Sequence, residues 1–169
     1  LKKERVMRLK PVENPEVNKW WMCDAGRYGY KPIDANRLMK VQTRASGRLE
    51  ETTWENALAS VRQLLAQAAA KPGSWALITS PQYTNEELYL QKKFFKDALK
   101  MSRAAYAWAF DQGDEDKFLI KADKNPNSNG AAEIFGTSSE EISKIVDAAQ
   151  RGEIEGLVIF GRDLAKYGA

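Results

Sequence analysis

The chain's single cysteine, Cys23, sits in the densest cluster of unusual residues, Asn18-Lys19-Trp20-Trp21-Met22-Cys23-Asp24-Ala25-Gly26-Arg27-Tyr28-Gly29-Tyr30. The Asp-Ala-Gly-Arg stretch after the sulfur is polar and turn-forming. It brings backbone N–H groups and a cation toward the thiol, surroundings that favour a thiolate. Thiolates are the ligands that iron–sulfur clusters require, and hydrogen bonds to sulfur together with an aromatic wall tune such clusters. The competing account is a free cysteine buried in an aromatic mini-core, since unpaired cysteine is among the most buried residue types.

Composition narrows the chemistry further. One cysteine forms no internal disulfide and cannot build a thiolate metal site unaided. There is no histidine, which removes Ser-His-Asp and Cys-His machinery and the commonest transition-metal ligand. A net charge of +3, spread along the chain, gives no electrostatic case for nucleic acid. Trp20, Trp21, Tyr28, Tyr30 and Trp54 are therefore expected to pack around a cluster and against the following domain, not to stack on bases.

Three weaker candidates remain. Asp114, Asp116 and Asp123, within Gly113–Asn129, could form a cation site, but the segment lacks the spacing of a calcium loop and is expected to be a solvated connection. Asn125-Pro126-Asn127-Ser128-Asn129-Gly130 is turn chemistry. Thr79-Ser80-Pro81 and Gly161-Arg162-Asp163 follow strands, where α/β sheets bind ligands, yet no glycine fingerprint or P-loop accompanies them. Both are expected to be ordinary loops.

The elements that must position these residues fall into two textures. Residues 1–52 are irregular, with strand-like runs at Glu4–Leu9 and Leu38–Thr43 and a hairpin turn at Ser46-Gly47. From 53 onward helices and strands alternate. Thr52-Thr53-Trp54-Glu55, Thr84-Asn85-Glu86-Glu87 and Ser138-Ser139-Glu140-Glu141 each fit a capping box that opens a helix. The first helix carries Trp54, Ala57, Leu58, Val61, Leu64, Leu65 and Ala68 as an apolar stripe and stops at Pro72-Gly73. The second is expected to bury Leu88, Phe94, Phe95, Ala98 and Leu99, and the third Ile142, Ile145, Val146 and Ala149. Strand-length runs follow at Trp75–Thr79, Ala104–Trp108 and Leu157–Phe160, the last apolar enough to suit burial on both faces. The alternation predicts an α/β fold with a parallel, doubly wound, Rossmann-like sheet.

The run Glu13-Asn14-Pro15-Glu16-Val17-Asn18-Lys19-Trp20-Trp21-Met22-Cys23-Asp24-Ala25-Gly26-Arg27-Tyr28-Gly29-Tyr30 resembles the last-cysteine segment of the iron–sulfur module in the molybdopterin oxidoreductase superfamily. Its Trp-Met-Cys-Asp-x-Gly-Arg-Tyr-Gly form looks most like the family of G-type subunits of NADH-quinone oxidoreductases, respiratory complex I. Arg37-Leu38, Trp54-Glu55-Asn56-Ala57-Leu58, Thr84-Asn85-Glu86-Glu87, Gly113-Asp114-Glu115-Asp116-Lys117-Phe118-Leu119-Ile120 and Ala122-Asp123-Lys124-Asn125-Pro126-Asn127 are also similar to that family, so the likeness covers nearly the whole chain.

The resemblance implies that Cys23 is the fourth ligand of a 4Fe–4S cluster whose other three cysteines lie upstream. It implies that residues 1–52 are the C-terminal part of a 4Fe–4S module. Residues 53–169 would then be a molybdopterin-oxidoreductase-like α/β domain, here without a molybdopterin ligand. The opening Leu1-Lys2-Lys3, in place of a methionine, and the ending at Ala169 lead to the expectation of a piece of a longer polypeptide whose sheet continues. No complete cluster and no complete active site are expected in this chain alone.

The implied function is electron relay and scaffolding in the peripheral arm of a membrane-associated respiratory complex. The partners would be its other subunits, at the cytoplasmic face of the membrane, with neither nucleic acid nor membrane insertion involved. The alternatives are a segment of a catalytic relative, such as a formate dehydrogenase α subunit with a molybdopterin cofactor, and a cluster-free structural domain.

Overall fold

The computed structural model describes residues 5–108, 110–118, 120–136 and 140–164. The chain divides into two compact units, Leu1–Leu58 with Asp114–Ala122, and Ala59–Gly113 with Asp123–Ala169.

The first unit is sparse in regular structure. A short helix α1, Asp24–Tyr28, follows Cys23. Strands β1 (Gln42–Ala45) and β2 (Arg48–Glu51) pair antiparallel. Their two-residue turn is the expected Ser46-Gly47, with both residues at positive φ (48° and 82°), the geometry whose twist matches a hairpin. The strand expected at Glu4–Leu9 does not form: residues 6–10 have no regular structure, and Glu4 lies outside the described residues. The run at Leu38–Thr43 pairs only from Gln42 onward, leaving Leu38 and Met39 exposed.

Helix α2 (Trp54–Ala70) begins one residue later than the capping-box reading implied. Thr53, not Thr52, is the cap: its hydroxyl accepts the Asn56 N–H at 3.2 Å. The large members of the expected apolar stripe, Trp54, Leu58, Val61 and Leu64, stay exposed, while Ala57 and Ala68 are buried. Leu65, of the same stripe, is partly buried and packs against the core cluster that holds Ala68, so the stripe is covered only in part.

The second unit is built on a parallel sheet. Its strands β3 (Trp75–Thr79), β4 (Arg103–Tyr106) and β5 (Gly156–Ile159) lie in the order β4-β3-β5. Leu77 stands opposite Ala104 on one side and Val158 on the other. Alternation along β3 sends Trp75 and Leu77 to one face and Ala76 and Ile78 to the other. The first face packs with Leu88, Phe95, Ala131 and Phe135, the second with Ile142, Ile145 and Val146. The expected α/β fold, with helices covering both faces of a parallel sheet, is what forms.

β3 is buried throughout as the central strand, whereas β5 is only half-buried and leaves Ile159 43% exposed. The expectation that Leu157–Phe160 would be enclosed on both sides is corrected by its place at the edge of the described sheet. Gly156 is required there for space: a Cβ would lie 2.5 Å from the Trp75 ring, which packs directly over it.

Helix α3 (Asn85–Gln91) opens on the complete capping box read from the sequence. The Thr84 hydroxyl accepts the Glu87 N–H at 3.3 Å, and the Glu87 carboxylate accepts the Thr84 N–H at 2.9 Å. The helix widens over Lys92–Ala98 into π-helical turns, ending with the Leu99 N–H donating to the Phe94 carbonyl. Lys100 then adopts a left-handed φ of 60°, and the Met101 N–H reaches back to the Phe95 carbonyl. The widened turn rotates the expected inner face. Leu88 and Phe95 are buried, but Phe94 and Ala98 are exposed.

Helices α4 (Ser128–Phe135) and α5 (Glu140–Gln150) complete the unit. Ile142, Ile145 and Val146 of α5 are buried as expected, while the cap at Ser138 lies outside the described residues.

Candidate functional site

Cys23 is the N-cap of α1, in extended backbone (φ −68°, ψ 154°). Its Sγ accepts the Gly26 N–H at 3.3 Å, and its carbonyl accepts the Arg27 N–H at 3.0 Å. The Asp-Ala-Gly-Arg sequence therefore does bring a backbone N–H to the sulfur. The cation goes elsewhere: Arg27 Nε lies 3.7 Å from Asp24 Oδ1. Gly29 ends the helix where a Cβ would meet the Ala25 carbonyl oxygen at 2.7 Å, so the turn after the cysteine admits no side chain there without a shift.

The segment entering Cys23 is tied down by asparagines. Asn14 closes a tight loop with Lys19 through hydrogen bonds of 2.8 and 2.6 Å, with Lys19 at φ 51°. Asn18 Nδ2 donates to the carbonyls of Val12 and Trp21, each at 3.2 Å, and the Trp21 N–H donates to the Asn18 carbonyl at 2.8 Å. These bonds hold the backbone two residues before the sulfur.

The aromatic wall is open. Trp20 is 61% exposed, Trp21 49%, Tyr28 60% and Trp54 70%, and Cys23 itself is half-buried. An aromatic mini-core around a buried thiol is therefore not what forms. Each of these four side chains leaves about half or more of its surface uncovered, while Tyr30 is partly buried.

An iron–sulfur cluster needs accessible thiolates with hydrogen bonds at sulfur. Cys23, whose sulfur already accepts a backbone N–H at a turn open to one side, has the donor chemistry and access of one such ligand. Among the described residues no three side chains of the Cys, His, Asp and Glu set converge to hold a metal. The fit is thus to one ligand position. Any further thiolate would come from residues outside these 169, which contain no second cysteine.

The acidic candidates close loops. Asp116 Oδ1 accepts the N–H groups of Phe118 and Ile120 at 2.8 and 2.9 Å, and Asp123 Oδ1 accepts the N–H of Asn125 at 2.8 Å and its Nδ2 at 2.9 Å. Each of these two carboxylates is thus engaged by hydrogen bonds from its own loop. Asn125, which sequence reasoning assigned only to turn chemistry, is a buried hub. Beyond Asp123, it receives the Phe110 N–H at 3.0 Å and donates to the Phe110 carbonyl at 2.9 Å.

Burial pushes the Asp123 pKa up, but the nearby Ser128 hydroxyl and the Asn125 side-chain and backbone N–H groups, the latter two hydrogen-bonded to its Oδ1, prevail and hold it below the ordinary value. The unfolded chain takes up this proton near ~3.9, and the folded chain only at lower pH. Between those two values the unfolded state binds more protons, so this contribution to stability is present above the unfolded value and lost as pH falls through the folded one. Urea midpoints measured from about pH 5 to pH 2 should fall less steeply in Asp123→Asn than in the unmodified chain.

At the carboxyl end of β3, Thr79 and Ser80 are fully buried, and the Ser80 hydroxyl accepts the Gln82 N–H at 3.2 Å. The N-terminus of α3 beyond them is taken by Thr84 and Glu87, and Glu86 is held below its usual pKa by its own backbone N–H and then by Thr84. The N–H groups of Thr84 and Glu87 are thus engaged within the cap itself. Gly161, at φ 62°, sits where a Cβ would lie 2.8 Å from the Tyr83 ring, so the backbone after β5 passes close against that ring.

No family model matches the chain. It is 44% identical over 63 residues, 37% of its length, to NADH-quinone oxidoreductase subunit 3 of Thermus thermophilus. It is 29% identical over 171 aligned positions, 94% of its length, to the G-type subunit of the NADH-quinone oxidoreductase of Streptomyces coelicolor. A putative formate dehydrogenase of Staphylococcus aureus is 24% identical over 157 positions, 86% of the chain. These similarities bear out the resemblance read from the residues. The chain spans 8%, 20% and 16% of these three relatives, so it corresponds to a small part of each.

Proposed function

We propose that this chain is a segment of an electron-transfer subunit of an NADH-quinone oxidoreductase and that Cys23 supplies one thiolate to a 4Fe–4S cluster. The observation that carries the reading is the Gly26 N–H held 3.3 Å from Cys23 Sγ at the start of α1. It is joined by similarity to a G-type subunit along 94% of the chain. When bound, the cluster would supply one-electron transfer. The chain's own residues bind and orient: Cys23 ligates, Gly26 donates to the sulfur, and Asn18 fixes the backbone that enters the turn.

In this reading residues 1–52 are the C-terminal part of the cluster module and 53–169 the α/β domain that follows it. The partners are the other subunits of the complex, in its peripheral arm at the cytoplasmic face of the membrane. No helix among the described residues is long and apolar enough to cross a membrane. The full-length subunit is proposed to carry no molybdopterin.

The test is to purify the complex containing the full-length subunit, add NADH and follow iron–sulfur EPR signals while measuring molybdenum. Clusters in this subunit reduced by NADH, with molybdenum absent, are expected. Stoichiometric molybdenum with formate-dependent reduction would select the formate dehydrogenase reading. A subunit without iron would select the structural one.

A further inference from the structure

The segment Asp114–Ala122 belongs to the same compact unit as Cys23, although about ninety residues of chain separate them. It is a built loop. The Asp116 carboxylate accepts two backbone N–H groups, from Phe118 and Ile120, and the Asp116 N–H donates to the Ile120 carbonyl at 3.0 Å. What the loop presents is Phe118, whose ring meets Trp21 edge-on, with centroids 5.6 Å apart and planes at 78°. The pair lines a groove of about 230 Å³ with Pro15, Val17 and Asn18. Trp21 is the residue whose carbonyl Asn18 holds, two positions before the sulfur.

We propose that Phe118 is a positioning residue for the Cys23 turn, acting through Trp21. The proposal rests on Cys23 being the functional group of this unit. A carboxylate-closed loop orders a phenylalanine that stays mostly exposed, and the ring's one aromatic contact among the described residues is Trp21. The edge-to-face contact restrains the indole, and the indole lies on the backbone that Asn18 ties to the loop before Cys23. Losing it lets the turn open more often, which a partly buried thiol reports directly.

The experiment is alkylation of Cys23, the only thiol, by iodoacetamide in the 169-residue chain. Phe118→Ala should raise the rate about three- to tenfold, the range expected from losing one aromatic pair. Phe118→Tyr should restore the original rate. Asp116→Ala, which opens the loop without touching the ring, should shift the rate in the same direction as Phe118→Ala. The unfolding constant of Phe118→Ala, read from urea titration, should rise by no more than the same three- to tenfold, and a larger rise would overturn the proposal by marking a general loss of stability. Rates unchanged in both Phe118→Ala and Asp116→Ala would overturn the proposal. That failure is distinct from failure of the cluster reading, which shows instead as iron retained when Cys23 is replaced in the full-length subunit.

Discussion

Cys23→Ser in the full-length subunit is expected to remove one cluster's worth of iron and one EPR signal while leaving the fold in place. The substitution isolates ligation because serine replaces what the cysteine does structurally. Cys23 Sγ caps α1 by accepting the Gly26 N–H, and a serine hydroxyl is among the best acceptors for an N-cap. The sulfur is half-buried, so no large cavity is left. In the isolated chain the unfolding free energy should therefore change by no more than about 0.5 kcal/mol. Loss of iron with an unchanged fold is the signature of a ligand. A fold that collapses in the isolated chain would instead mark a structural cysteine.

The second large effect belongs to the sheet. Leu77→Ala should destabilise the chain by about 2–5 kcal/mol, because Leu77 is fully buried on the central strand and its neighbours cannot close the space. Leu58→Ala provides the contrast. Leu58 is 55% exposed on α2, and its truncation should stay within about 0.5 kcal/mol. Both can be read from urea midpoints. Equal effects would mean that the apolar stripe of α2 is covered to the same degree as β3.

That contrast also shows where sequence reasoning ran out. Hydrophobic spacing identified α2 as a helix with an apolar stripe, of which Ala57 and Ala68 are buried while Trp54 and Leu58 are exposed. Periodicity reports which residues share a face, not which neighbour covers it. Local chemistry was more informative where its partners are local. The Thr84–Glu87 capping box and the Ser46-Gly47 turn are formed by residues within three positions of each other, and both appear as read. Phe94 was misplaced because a π-helical turn changes the period that the reading assumed.

The candidate site was legible in the same uneven way. The motif located Cys23, and the polar turn after it correctly implied a backbone N–H at the sulfur. The aromatic residues near it in sequence were expected to pack around a cluster and against the following domain, yet aromatic content says nothing of what lies opposite each ring. Phe118 against Trp21, and Asn125 binding Phe110 and Asp123, join residues far apart in sequence or depend on burial. No local signal announces such contacts, although the Asp-x-Asn spacing of Asp123 and Asn125 marks a side-chain-closed turn.

The central claim, that Cys23 ligates a cluster, is tested most directly by protection of its thiol. The full-length subunit in its complex would be alkylated before and after iron is removed by a chelator, and Cys23 followed by peptide mass spectrometry. Ligation predicts that Cys23 stays unmodified while iron is bound and is alkylated once it is stripped. Equal alkylation in both samples would contradict it.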